Sequence, residues 1–305
     1  MIKKNILVTG SNGLLGQKII YELVKRNNVN LIASSRGNNR LVNKSGYNYI
    51  DLDITNKKDV DKVILEIQPH AVINCAAMTN VDACENNKKA CWDINVNAVE
   101  YLARACESVD AHLLHISTDF IFDGNSGPYR ENDMPNPLHY YAESKLASEK
   151  IVEKIMTRWS IARTIIVYGI TDNMSRSNLV LWAKSEIEKG NMINVIDDQF
   201  RSPTLAEDLA NGCIKIIDQG AYGIYHLSGP KTYSILELVY IVADFYKLDK
   251  SLINPISSDS LNQAAKRPLV TGFVIDKAKE NLDFNPVDFF EGIAIMDQQI
   301  KKNEI

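Results

Sequence analysis

The chain has few of the features that mark specialised classes of protein. Its five cysteines (Cys75, Cys84, Cys91, Cys106 and Cys213) are an odd number without a Cys-x-x-Cys pair, which argues against a disulfide framework or a zinc site. Its five histidines are scattered; none has metal-ligand spacing, and no metal is expected. No apolar run approaches the roughly 20 residues of a membrane span. A net charge of −4 gives no general reason to expect nucleic acid or a membrane surface as a partner. Repeats and low-complexity tracts are absent as well. An apolar strand begins almost at once and leaves no room for a signal peptide, so a cytoplasmic protein is expected.

What remains is an ordinary globular composition. Of 305 residues, 45% are hydrophobic and 24% charged, enough for one large or two ordinary domains with a substantial core. Asn5-Ile6-Leu7-Val8 reads as a short strand. Thr9-Gly10-Ser11-Asn12-Gly13-Leu14-Leu15-Gly16 and an apolar-periodic helix to about Lys25 follow it. Strand, glycine loop and helix in that order form a dinucleotide site. Small residues admit the pyrophosphate, and the helix N-terminus supplies amides and positive potential. Gly10, Asn12, Gly13, Leu14, Leu15 and Gly16 are therefore candidate cofactor contacts. A second strand, from Asn30 to Ala33, ends in Ser34-Ser35-Arg36. An acid there would bind a ribose 2′-hydroxyl, whereas arginine accommodates a 2′-phosphate. With Arg36 present and no acid until Asp51, NADPH is expected, with NADH as the alternative. After the strand Ala71–Asn74, the small residues Cys75, Ala76 and Ala77 allow a cofactor to approach closely.

The chemistry concentrates between Leu113 and Lys145. Leu113-Leu114-His115-Ile116 reads as a buried strand that delivers Ser117, Thr118 and Asp119 to its carboxyl end, where open α/β sheets keep their ligands. Asn136 as N-cap and Pro137 as first helical residue predict a helix from near Leu138. On it, Tyr141 and Lys145 are four apart and share a face. A phenol at its usual pKa of about 10 is a poor proton relay. An ammonium roughly 4 Å away favours the phenolate by ~4 kcal/mol at an effective dielectric near 20, or about three pK units. The expectation is thus a phenol tuned toward working pH, with Thr118 holding the substrate oxygen. The spacing alone says little, because Tyr21/Lys25 and Tyr246/Lys250 repeat it. Those copies are expected to be solvated tips on helix surfaces.

After a strand from Ser160 to Ile166, the alternation of strands and helices predicts a doubly wound parallel sheet of Rossmann type. The pattern then loosens. A helix near 178–189 and a strand Ile193–Ile196 precede the polar loop Asp197–Thr204, whose Gln199 and Arg201 suit a nucleotide-sugar segment. Helix 205–217 and strand Gly223–Leu227 are expected to return to the sheet. The division expected is 1–170 plus about 205–228 for the dinucleotide-binding domain. A smaller, interleaved C-terminal substrate-binding lobe takes 171–204 plus about 229–305.

In these motifs the chain resembles the extended short-chain dehydrogenases/reductases, and among them the dTDP-4-dehydrorhamnose reductases. TGSNGLLGQ, NCAAMTNVDACE, NVNA, ISTDFIFDG, YxxxK, RTIIVYG, DDQFRSPT and IYHLSG arrive in the family's order. The resemblance implies that Asp53 and Ile54 contact the adenine, and that the Cys75–Ala77 loop passes the ribose and nicotinamide. It places Thr79 and Val81 toward the sugar, Asn95 as a buried support for the catalytic lysine, and Arg267 against the substrate. It makes Thr118, Tyr141 and Lys145 the catalytic set, Lys145 also holding the nicotinamide ribose.

Three departures bear on the sugar. Phe120 replaces a frequent tyrosine, Ile166 stands where tryptophan is common, and Leu-Val-Thr-Gly-Phe follows Arg267-Pro268 in place of Asn-Ser. The function implied is NADPH-dependent reduction of the 4-keto group of a nucleotide-linked 6-deoxyhexose, foremost dTDP-4-dehydro-L-rhamnose. Another nucleotide-sugar reductase or epimerase is the alternative. So is a non-catalytic dinucleotide-binding subunit like the regulatory subunit of methionine adenosyltransferase. The nucleotide base, the sugar stereochemistry and whether the chain forms a homodimer stay open.

Overall fold

The computed structural model describes residues 3–174, 177–261 and 263–303. Seven strands make one parallel sheet: β1 (Lys4–Thr9), β2 (Val29–Ser35), β3 (Asn48–Asp51), β4 (Ala71–Asn74), β5 (His112–Thr118), β6 (Trp159–Thr164) and β7 (Gly223–His226). Their order is β3-β2-β1-β4-β5-β6-β7. The direction of winding reverses between β1 and β4, and at such a switch point the carboxyl ends of the strands open a crevice. The central strands are apolar on both faces: Ile6, Leu7 and Val8 of β1 are all buried, as a sheet covered by helices on both sides requires.

One face carries α1 (Leu14–Leu23) and α6 (Ala206–Gln219), which pack on each other. Ile19, Ile20 and Leu23 of α1 meet Leu209, Ala210 and Cys213 of α6 in one core cluster. The other face carries α2 (Lys57–Ile67), α3 (Ala98–Ser108) and α4 (Tyr140–Ile155), with Val60, Ile64, Leu102 and Val152 in a second cluster. Each such side chain contributes about 1.5–3 kcal/mol by burial.

A third cluster lies outside the sheet. It joins α5 (Leu179–Glu188), α7 (Ile235–Tyr246) and α9 (Phe289–Asn303) through Ala183, Leu238, Val242, Ile293 and Met296. The helix α8 (Asp276–Leu282) returns to the sheet's own core, where Leu282 is buried. Among the described residues no helix is long and apolar enough to cross a membrane.

Ahead of α3 the chain winds through the short helix Lys88–Trp92 and a widened π-helical turn at Asp93–Asn97. One local expectation changes. The helix expected from Leu138 starts at Tyr140, because His139 is extended and its Nδ1 accepts from Ala142 N at 3.2 Å. Asn136 turns away and donates to Asp123 Oδ2 at 3.0 Å.

Candidate active site

A cleft of about 760 Å³ opens along the carboxyl ends of the strands. It runs from Ser35 and Arg36 at the end of β2, past Gly10–Gly16 and Cys75–Ala77, to Thr118, Tyr141 and Lys145 beside β5. From β2 to β5 is three strand spacings, about 14 Å, a span suited to a dinucleotide.

The residues at its centre fit such a group. Gly10 has φ +67, and a Cβ there would lie 2.6 Å from Ala76 N, so only glycine lets β1 and β4 close up at the switch point. A Cβ on Gly16 would strike the Gly10 carbonyl. The N-terminus of α1 is capped by no side chain and its first turn holds no acid, which leaves amides and positive potential for an anion. NAD(P) bound here would lie against Gly10, Asn12, Gly13, Leu14, Leu15 and Gly16, all of which line the cleft.

The catalytic set comes from two elements. Thr118 ends β5, while Tyr141 and Lys145 lie on the first two turns of α4, and all three line the cleft while being almost fully buried. Burial holds the Tyr141 hydroxyl well above the usual phenol pKa, with a hydrogen bond to Thr118 acting the other way. Burial also pulls Lys145 down to about 8. The expected tuning of Tyr141 toward phenolate is therefore not what this arrangement gives. Tyr141 stays a phenol, the form that donates a proton, and Lys145 Nζ is engaged by His115 Nε2 at 2.8 Å.

Phe120 stands edge-on to Tyr141, ring centres 6.4 Å apart. Ile166 lines the same cleft at φ +30, a conformation that strains a β-branched residue. Cys75, Ala76, Ala77, Thr79, Val81 and Asp119 complete the expected residues found in the lining.

Six expected residues lie outside it. Arg201 is buried, its guanidinium donating to the carbonyls of Phe200 (2.7 Å), Leu269 (2.8 Å) and Pro268 (2.6 Å) and to Gln199 Oε1 (3.2 Å). It also lies 3.8 Å from Asp119 Oδ2. Gln199 and Arg201 thus brace the floor under Asp119 and Phe120 rather than touching a ligand, because these oxygens take four of the five guanidinium N–H donors and Nε is turned to Asp119. Arg267 donates to Asp82 Oδ2 at 2.7 Å and to the Ala265 carbonyl at 2.9 Å, stapling the C-terminal loop to the helix Val81–Asn86.

Asp53 caps its own turn, accepting from Thr55 N at 2.9 Å, and faces Arg36 at 3.7 Å. Ile54 is buried in core. Asn95 does not reach the lysine. It holds both backbone groups of Met78 (2.8 and 3.0 Å) and Ser144 Oγ (3.1 Å), and Ser144 in turn donates to the Tyr141 carbonyl at 2.7 Å. Its support goes to the loop and to the tyrosine's turn.

Of the lining residues that sequence reasoning missed, Arg40 and Asn74 matter most. Arg40 N donates to Asn12 Oδ1 at 2.9 Å, and its carbonyl accepts from Asn173 Nδ2 at 2.8 Å. This holds a second cation, besides Arg36, in the lining of the cleft. The two other Tyr-x-x-x-Lys pairs stay out of the cleft. Tyr21 is no solvated tip, for its hydroxyl donates to Asp172 Oδ2, and Lys184 lies over the partly buried Tyr246 ring at 4.8 Å.

A parallel sheet in this order, a glycine loop at its switch point, and Thr118, Tyr141 and Lys145 in one cleft define an NAD(P)-dependent oxidoreductase of the extended short-chain dehydrogenase/reductase type. Residues 4–301 match the family model for the RmlD substrate binding domain. A dTDP-4-dehydrorhamnose reductase from Aggregatibacter actinomycetemcomitans is 29% identical, covering 93% of this chain and 95% of that one. Methionine adenosyltransferase 2 subunit beta from Bos taurus is 29% identical over 87% of this chain and 78% of that one. The crystal structure of dTDP-4-dehydrorhamnose reductase from Bacillus anthracis in complex with NADP superposes with a TM-score of 0.86 at 29% identity, covering 98% and 100% of the two chains. The chain belongs to the dTDP-4-dehydrorhamnose reductase family, and its relatives named as dTDP-4-dehydrorhamnose reductases support a nucleotide-sugar reductase.

Proposed function

We propose that the protein reduces the 4-keto group of a nucleotide-linked 6-deoxyhexose with NADPH, dTDP-4-dehydro-L-rhamnose being the first candidate. The observation that carries this reading is the meeting of Thr118, Tyr141 and Lys145 in the cleft that also holds the glycine loop. NADPH would supply the hydride. Tyr141, kept as a phenol by burial, gives its proton to the C4 oxygen as charge develops there. Thr118 holds that oxygen by a hydrogen bond, and Lys145 binds the ribose hydroxyls and stabilises the tyrosine once it has lost its proton. Arg36 and Arg40, both in the lining of the cleft, suit a 2′-phosphate.

A regulatory role without catalysis is the competing reading, favoured by the similarity to methionine adenosyltransferase 2 subunit beta. The complete catalytic set in the cleft favours the enzyme. The test is NADPH consumption with a panel of dTDP-, UDP- and GDP-linked 4-keto-6-deoxyhexoses. Turnover is expected with a dTDP-linked member, and its absence across the panel overturns the reading. An epimerase would convert substrate without net NADPH oxidation.

A further inference from the structure

Sheet register sets a row of polar side chains beneath α4. Thr9 of β1 partners Asn74 of β4, and Asn74 partners His115 of β5, so in parallel strands the three point to one face. All three are buried. Asn74 Oδ1 accepts from Thr9 Oγ1 at 2.7 Å and from the Ala76 backbone N–H at 3.2 Å. A backbone N–H can only donate, so the end of Asn74 that it meets is the oxygen. The amide NH₂ must then face His115, and Asn74 Nδ2 lies 3.1 Å from His115 Nδ1.

That ring nitrogen accepts and carries no proton. The proton of neutral His115 therefore sits on Nε2. Nε2 is 3.0 Å from Ser148 Oγ, whose own hydrogen goes to the Lys145 carbonyl at 2.7 Å, and 2.8 Å from Lys145 Nζ. An N–H cannot accept from an ammonium. The contact with Lys145 is a hydrogen bond only if the amine accepts.

We propose that His115 is a positioning residue for Lys145. Asn74 locks it as the Nε2–H tautomer, so that it turns a donor toward Lys145 and favours the neutral amine while the site is empty; Lys145 takes up a proton as the dinucleotide binds. This rests on the reading of Lys145 as the residue that holds the cofactor. The surroundings agree. Burial already draws Lys145 down to about 8, while Glu149 on α4 and Cys91 of the Lys88–Trp92 helix act the other way. Glu149 is itself held by Arg163 of β6 in two contacts of 3.0 and 2.7 Å. Tyr141 stays a phenol. Cys75, next to Asn74, is pushed up to about 12 by burial and stays a thiol. Asp119 is raised by burial and faces Arg201. His115 is held well below its usual range, first of all by burial, and adds no charge. A cofactor bringing hydroxyl acceptors and phosphate charge shifts the balance to the ammonium.

Two measurements test this. In ¹⁵N-histidine spectra, His115 should show a bare Nδ1 and a protonated Nε2. Its signals are identified by their loss in His115→Gln or, should that variant not fold, by the tautomer change in Asn74→Asp. The introduced carboxylate accepts from Nδ1–H and should reverse the tautomer. Calorimetry of NADP⁺ binding at pH 9, in buffers of different ionisation enthalpy, should show uptake of about 0.9 proton. That is the neutral fraction one unit above a pKa of about 8. In Asn74→Asp the uptake per cofactor bound should fall to about half or less, since a rise of about one unit in the Lys145 pKa takes it from about 0.9 to about 0.5. A protonated Nδ1 in the unmodified protein, or equal uptake in the two proteins, overturns the proposal. Failure of the reductase reading would show differently, as no turnover of any keto sugar with tautomer and uptake as stated.

Discussion

Removing the Arg36 guanidinium should separate the two nicotinamide cofactors. Arg36 lies at the β2 end of the cleft, and in the structure its nearest anion is Asp53 at 3.7 Å, with side chains 74% and 40% exposed. A pair so wet contributes only about 0–1 kcal/mol, so little is given up when a 2′-phosphate takes the aspartate's place. A charge-assisted hydrogen bond to phosphate contributes roughly 1.5–3 kcal/mol. Taking the lower part of that range for an exposed site, and subtracting the lost pair, leaves about 0.5–2 kcal/mol, or roughly two- to thirtyfold in affinity. Titration calorimetry with NADP⁺ and NAD⁺ is the assay. Arg36→Ala should weaken NADP⁺ by that factor and change NAD⁺ by less than about twofold, the cofactors differing only in the phosphate. Asp53→Asn, which frees the arginine, should tighten NADP⁺ by up to about fivefold, equivalent to the pair's ~1 kcal/mol. Equal losses for both cofactors, or no loss for either, would refute the reasoning and leave Arg40 as the cation to examine.

Tyr141→Phe should keep cofactor affinity and lose about 10²–10⁴-fold in turnover, whereas Tyr21→Phe and Tyr246→Phe, outside the cleft, should stay near the parent; a loss under about threefold in a chemistry-limited step would remove Tyr141 from its role. Glu149→Gln strands the Arg163 guanidinium in a site where both partners are at most 3% exposed, and should lower unfolding free energy by about 3–5 kcal/mol. The double change Glu149→Leu with Arg163→Met should recover much of that in urea titrations. Phe120 and Ile166 bring no hydroxyl to the cleft, and apolar contacts discriminate by only about 10–200-fold. More than one 4-keto-6-deoxyhexose should therefore turn over, and Phe120→Tyr should sharpen the preference; strict selectivity untouched by that change would mean that other residues read the sugar.

Some of this was legible in the sequence because its information is local. The glycine loop follows β1 directly, and Tyr141 and Lys145 sit four apart on one helix, so neither needs knowledge of distant partners. Helix boundaries were less legible. Asn136-Pro137 carries the residues of a helix start, yet Asp123 captures the Asn136 amide and the cap falls to His139. Arg201 reads as the basic residue of a polar loop that suits a nucleotide sugar. It is buried because Phe200, Gln199, Pro268 and Leu269 converge on it, two of them nearly seventy residues away. Arg40 has no periodicity to announce it, since the side-chain amides of Asn12 and Asn173, bonded to its backbone, place it. The Asn74–His115 pair depends on the register of β4 against β5, and register is a property of the assembled sheet.

The widened turn at Asp93–Asn97 has a consequence for how this chain can change in length. Each residue of a regular α-helix advances the helix by about 100°, and a π-turn accommodates one residue more than the regular winding. Upstream of and within the turn, Cys91 and Asn95 face Ser144 and the Met78 loop. Downstream, Val99, Leu102 and Cys106 face the sheet. Excising one residue from Asp93–Asn97 would restore regular winding and swing one half against the other by about 100°. The apolar stripe would leave the core, or Asn95 would lose the loop and the tyrosine's turn. A single-residue deletion here is felt in two places at once, which closes this turn to the small changes in length that surface loops absorb.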